Sequence, residues 1–161
     1  MLTVVLLDTV RVRPSAFLRL PRMGAVMSVP VILKKAVIQR DGGFCLLALP
    51  GCLGEAQTTD HRANRGMGGA PILDDPCNLI AACSLCNGAK ADAHQMVLNN
   101  LELRGLYVIP NSTHAKTLAR VRQTPVEYLD GERFYLLSEL DPRGGWILAR
   151  LPVSEVMKVG H

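Results

Sequence analysis

Aromatic residues are scarce in this chain of 161 residues: three phenylalanines, three tyrosines and one tryptophan. A surface that stacks the bases of a single strand needs more of them, so that mode of nucleic-acid binding is excluded. Long apolar runs are missing as well, and none approaches the roughly 20 residues that span a bilayer. Charge of one sign is also lacking, because 18 Lys and Arg against 14 Asp and Glu leave only +4. That excess is too slight to mark a polyanion binder by itself. The short apolar burst after Met1 has no basic residue ahead of it, which excludes a secretory signal, and a mitochondrial presequence fits poorly. With 48% hydrophobic and 20% charged residues, the chain nevertheless carries enough to bury the core of one soluble domain with a small appendage.

The basic excess is unevenly placed. Residues 1–40 hold seven basic side chains against Asp8 alone, whereas residues 41–105 hold four basic against seven acidic. Segment 1–27 is atypical, with scattered arginines and two prolines, and Met27 is a second candidate start. Were Met27 the start, 14 basic and 13 acidic residues would remain and the chain would be nearly neutral. From Ser28 the pattern predicts a helix: Ser28 as cap, Pro30 in the first turn, Val29, Leu33, Ala36 and Val37 at helical spacing, and Gly42 beyond the end.

Between residues 42 and 79 glycine and proline are frequent, and a short strand over 57–62 is the only regular element expected there. Cysteines frame this stretch. Cys83 and Cys86 have the C-x2-C spacing that brings two thiolates to one tetrahedral zinc ion, and Cys45 and Cys52 form a wider C-x6-C pair. Buried thiols or disulfides are the competing reading. Disulfides are disfavoured without a secretory signal, and burial alone does not explain a C-x2-C pair ahead of a helix. A structural Zn2+ site of Cys45, Cys52, Cys83 and Cys86 is therefore expected, with Cys77 a free thiol.

The residues between the cysteine pairs call for more than a structural clip. They read Thr59-Asp60-His61-Arg62-Ala63-Asn64-Arg65-Gly66-Met67-Gly68-Gly69, then Cys77-Asn78-Leu79-Ile80, then Cys83-Ser84-Leu85-Cys86-Asn87-Gly88-Ala89-Lys90. This combination over about residues 34–107 resembles the HNH endonucleases of the ββα-metal nuclease group, and is most similar to the small HNH proteins of bacteriophages and prophages. The resemblance implies an α+β fold: a ββα-metal core clipped by the four-cysteine zinc site, an N-terminal helix and a small C-terminal antiparallel β-meander. It divides the chain into the atypical segment 1–27, an HNH nuclease domain over 28–107 and a C-terminal β extension over 108–161.

The resemblance also assigns roles. His61 is the general base, since an imidazole that titrates near neutrality can accept a proton from water. Asp60 and Asn87 hold one catalytic Mg2+ or Mn2+, a sparse hard-oxygen set that leaves room for water and phosphate oxygens. Neighbours on a strand face opposite ways, so Asp60 and His61 are expected to do different jobs. Asn78 braces the loop between the strands and orients the histidine. Arg62, Arg65 and Lys90 are candidate phosphate contacts, and Gly66, Gly68 and Gly69 permit close backbone approach. Each also has a plainer reading: a turn residue, a helix cap, a solvated charge.

After Cys86 the spacing of Ala89, Ala93, Met96, Val97 and Leu101 predicts one helix over 88–104, with Gly105 as its stop and His94 facing solvent. Strands are expected over 125–129, 132–137 and 146–151, joined by turns at Asp130-Gly131 and 141–145. His114 and His161 have no evident partners. The implied activity is metal-dependent hydrolysis of DNA in the cytoplasm of a bacterial host, away from membranes. Phage terminase or other packaging proteins are the implied associates. The net acidity of 41–105 predicts weak, steeply salt-dependent DNA binding unless the tail or a partner helps. The rival expectation is a zinc-clipped nucleic-acid-binding or packaging-accessory protein without hydrolytic activity, which needs the cysteines but not Asp60, His61 or Asn87.

Overall fold

The computed structural model describes residues 10–12, 28–142 and 145–157. In chain order they form β1 (Val10–Val12), α1 (Val31–Arg40), β2 (Thr58–His61), β3 (Leu79–Ala82), α2 (Ser84–Ala91), α3 (Gln95–Leu103) and α4 (His114–Gln123). There follow β4 (Val126–Glu127), β5 (Arg133–Leu140), β6 (Trp146–Pro152) and α5 (Val153–Val156); 3-10 turns occupy Pro71–Asp74 and Pro76–Asn78. The result is a mixed α+β structure with an N-terminal helix and two small antiparallel sheets, one of β2 and β3, the other ordered β1-β6-β5-β4.

Helix α1 starts later than the sequence predicts. Pro30, not Ser28, stands at the cap position, with no side-chain cap, and its carbonyl accepts the Lys34 N–H at 3.0 Å. Proline costs little at a helix start because the first N–H groups have no helical partner in any case. Leu33, Ala36 and Val37 then pack with Leu79 of β3 and Leu148 of β6, so α1 ties the two sheets together. Of segment 1–27, only the strand Val10–Val12 lies within the described residues, and it pairs antiparallel with β6. His161 lies outside them.

The β2·β3 pair runs from Thr58 opposite Ala82 to His61 opposite Leu79. Every residue of β3 is buried, as an uninterrupted apolar run demands of a strand covered on both faces. Past the last pair the ladder continues, with Arg62 N–H donating to the Asn78 carbonyl at 2.8 Å.

The single helix expected over 88–104 is two helices. α2 ends at Ala91, Asp92 and Ala93 turn, and His94 is extended with ψ 154° ahead of α3. Asp and His are among the weaker helix formers, and the break reorients the chain so that Leu101 reaches the core. His94 is exposed, as expected. Helix α4 was not anticipated. Thr113 caps it by accepting the Lys116 N–H at 3.2 Å, and Thr117 and Val121, one turn apart, are its buried side chains. The three tail strands exist, β5 and β6 as a long hairpin from Phe134 opposite Pro152 to Leu140 opposite Trp146.

One apolar core joins Leu46, Ile80 and Leu101 to Val121, Tyr128 and Leu136, crossing the division at 107 and 108. Gly105 marks the tightest crossing. Its φ is +70°, and a Cβ there would lie 1.9 Å from the Pro125 carbonyl oxygen, so only glycine fits. Among the described residues no helix is long and apolar enough to cross a membrane.

Candidate functional site

Four sulfur atoms, those of Cys45, Cys52, Cys83 and Cys86, lie within 4.8 Å of one another. Sulfurs around a zinc ion at roughly 2.3 Å sit a little under 4 Å apart, so this cluster is consistent with a zinc site. The wide spacing of the first pair is taken up by two turns: Ala48 has a positive φ of 47°, and the Cys52 N–H closes on the Leu49 carbonyl at 2.9 Å. Backbone donors already point at the sulfurs, Gly54 N–H to Cys52 at 3.3 Å and Cys86 N–H to Cys83 at 3.4 Å. Burial works against a thiolate at Cys83, yet hydrogen bonds from the backbone of Leu53 and Cys86 and from neighbouring thiols pull its pKa down to about 6. Burial pushes the Cys45 and Cys86 thiols up. Such a pocket readily forms one thiolate and needs a cation to hold more.

The cluster stands at the start of α2, where Cys83 is the N-cap. Asn87 and Lys90 follow on the same side of the helix, one turn on from Cys83 and Cys86. Fixing the first turn of α2 therefore fixes both residues against β2. There a cavity of about 410 Å³ is lined by Asp60, His61, Asn64, Arg65, Asn87, Lys90 and Tyr107, among others. Asp60 and His61 thus line the same cavity although strand alternation predicts opposite faces; His61 is the last residue of β2, where the pleat gives way to a bend.

Lys90 is not the solvent-facing phosphate contact expected. Only 5% exposed, it makes an ion pair with Asp60 and donates to the carbonyls of His61 at 2.9 Å and Leu106 at 3.2 Å. Burial lowers its pKa and raises that of Asp60, and their mutual attraction opposes both shifts. Arg62 departs further from expectation. It is fully buried and donates to four carbonyls: Gly105 at 2.7 Å, Cys77 at 3.0 Å, Val121 at 3.2 Å and Thr124 at 2.6 Å. Turned inward onto these carbonyls, the guanidinium does not reach the surface where a phosphate would lie, and burial pushes its pKa down to about 10.

Family models, curated proteins and solved structures yield no match to this chain. What the site can do therefore rests on its own geometry.

Asn78 is fully buried and bonds across the loop, accepting the Ala63 N–H at 2.8 Å and donating to the carbonyls of Ala63 at 2.9 Å and Leu73 at 2.8 Å. It braces the loop without touching His61. The partner of His61 is Asp74, which sequence reasoning missed: His61 Nε2 lies 2.8 Å from Asp74 Oδ1, and Arg65 Nη1 donates to Oδ2 of the same carboxylate at 3.2 Å. Burial lowers the His61 pKa and so favours the neutral ring, against the pull of Asp74, which favours the charged one. Cys77 is a buried thiol 3.1 Å from both the Leu136 carbonyl and Ser138 Oγ, away from the other four cysteines. The arrangement offers a neutral imidazole, a buried carboxylate, an amide and two cations around one polar cavity, and a separate soft site for a metal.

Proposed function

We propose that this protein is a metal-dependent DNA endonuclease of the HNH type, with β2, β3 and α2 as its ββα catalytic unit. The observation that carries this reading is the meeting of Asp60, His61, Asn87 and Lys90 in one cavity from two separate elements. Hydrolysis of a phosphodiester needs a base for the attacking water and positive charge around the phosphate. His61, neutral near pH 7, takes the proton from water; Arg65 at the cavity edge meets the charge of the strand.

Asp60 and Asn87 supply a carboxylate and an amide oxygen, a hard donor set that fits Mg2+ or Mn2+. Bound by them, such an ion would neutralise charge developing on the phosphate and the leaving oxygen. Asp60 brings its pairing with Lys90, so an incoming cation competes with an ammonium already in place. The cysteine cluster acts at a distance: it holds the first turn of α2, and so the position of Asn87.

That ion pair is also the one observation favouring the second reading, a zinc-clipped nucleic-acid-binding protein without hydrolysis, because it leaves Asp60 satisfied without a metal. Plasmid nicking with Mg2+ or Mn2+ at low salt separates the two. Wild type is expected to relax supercoiled DNA, and His61→Ala to lose at least about 100-fold of that rate. Equal cutting by both proteins, or none by either, refutes the endonuclease.

A further inference from the structure

An imidazole serves as a base through only one nitrogen at a time, and which one is set by what the other nitrogen touches. At His61 the nitrogen in contact is Nε2, 2.8 Å from Asp74 Oδ1. A carboxylate only accepts, so Nε2 carries the ring proton and the lone pair lies on Nδ1. Nδ1 makes no hydrogen bond among the described residues.

Asp74 is itself held. Arg65 donates to its second oxygen at 3.2 Å, and the 3-10 turn Pro71–Asp74 is anchored through the Leu73 carbonyl, which accepts from the buried Asn78 at 2.8 Å. The brace at Asn78 thus reaches the histidine indirectly, through the turn that carries Asp74. We propose that Asp74 is the positioning residue of the site: it fixes His61 in the Nε2–H tautomer and leaves Nδ1 as the nitrogen that takes the proton from water. The inference rests on the endonuclease reading for its catalytic meaning, but the tautomer can be tested alone.

Asp74→Asn is the informative change because it keeps the shape and alters the donors. Arg65 only donates, so the new amide turns its oxygen to Arg65 and its NH2 to His61. That NH2 donates to Nε2, which must then carry the lone pair, and the proton moves to Nδ1. A carboxylate-to-amide change behind a catalytic histidine elsewhere costs about 10⁴-fold in kcat through the same tautomer switch.

The test uses the full chain with its zinc. Ring-nitrogen NMR, with the His61 signals assigned by their loss in His61→Gln, reads the tautomer above the histidine's titration. Wild type is expected as Nε2–H and Asp74→Asn as Nδ1–H, with kcat for nicking down at least about 100-fold, KM for DNA within about threefold and an unchanged melting temperature. Asp74→Ala is the control, expected to show averaged tautomers and an intermediate rate. A wild type in the Nδ1–H form, or an Asp74→Asn protein that keeps Nε2–H, overturns the assignment. A tautomer switch in Asp74→Asn together with a wild type that never cuts DNA supports Asp74 as the positioning residue and removes the endonuclease instead.

Discussion

Replacing Arg62 by methionine keeps most of the side chain's bulk but removes all its donors, and the structure sets the cost. Four backbone carbonyls, those of Cys77, Gly105, Val121 and Thr124, lose a bond now between 2.6 and 3.2 Å; Val121 keeps the Thr124 N–H at 3.2 Å, so three are left without a partner. Leaving a buried carbonyl unpaired costs about 1 kcal/mol at the low end, so the three together cost about 3 kcal/mol. The variant no longer buries a charge, which offsets part of this, since burial pulls the Arg62 pKa down to about 10 and so leaves some cost of burying the guanidinium unmet. For a chain of this size about 3 kcal/mol corresponds to a fall in melting temperature of roughly 9 °C. Thermal unfolding followed by circular dichroism, with a urea titration as a second measure, reads it directly. Arg62→Lys should fall between the two, because one ammonium cannot satisfy four carbonyls spread around a planar guanidinium. A phosphate contact behaves the other way: the methionine variant would melt like wild type, the lysine variant would work, and only KM for DNA would rise. That result refutes the structural role given to Arg62.

Two further expectations concern the metals and their competitor. Metal analysis of reduced protein should find about one zinc per chain, lost with Cys83→Ser, and strong chelation should lower the melting temperature and loosen α2 first in hydrogen exchange; a chelated protein with unchanged melting would end the zinc assignment. Lys90→Met should destabilise the fold by about 3 kcal/mol by leaving Asp60 buried without its partner. It should also tighten Mn2+ binding, read by calorimetry at fixed zinc, by about tenfold as the competing ammonium disappears; unchanged or weaker binding would show that Lys90 does not compete with the ion.

The cysteines were legible because C-x2-C fixes geometry locally, and the wider partner could be paired with it by elimination once Cys77 was set aside. The β2 strand and the tail hairpin were legible from alternation and turn residues, which act over a few positions. Asp74 and Arg62 were not. Both depend on contacts made across loops, 13 residues between His61 and Asp74 and up to 62 between Arg62 and Thr124, and no periodicity encodes which loop folds onto which. Arg62 looked like a surface charge because arginine usually is one, and nothing in its neighbours announces four converging carbonyls. The split between α2 and α3 was hidden by apolar residues that keep helical spacing through the break. Helix α4 carried a readable signal, Thr113 as cap with Thr117 and Val121 one turn apart, that its low hydrophobicity masked.

The reach of Arg62 also has a consequence for how the protein is made. Its guanidinium is buried just past the end of β2, but its last partner, Thr124, is 62 residues further along the chain. At roughly 5–20 residues per second, the ribosome needs about 3–12 s to supply that partner after Arg62 has been added. Until then the residue that follows β2 is a cation destined for burial that has the carbonyls of Cys77 and Gly105 but not those of Val121 and Thr124. A chain cut short before α4 is therefore not a smaller working version of the whole. For a protein that we propose cuts DNA, the residues that line the cleft are all made by Tyr107, but the arginine buried behind the end of β2 has its full set of partners only once α4 has followed.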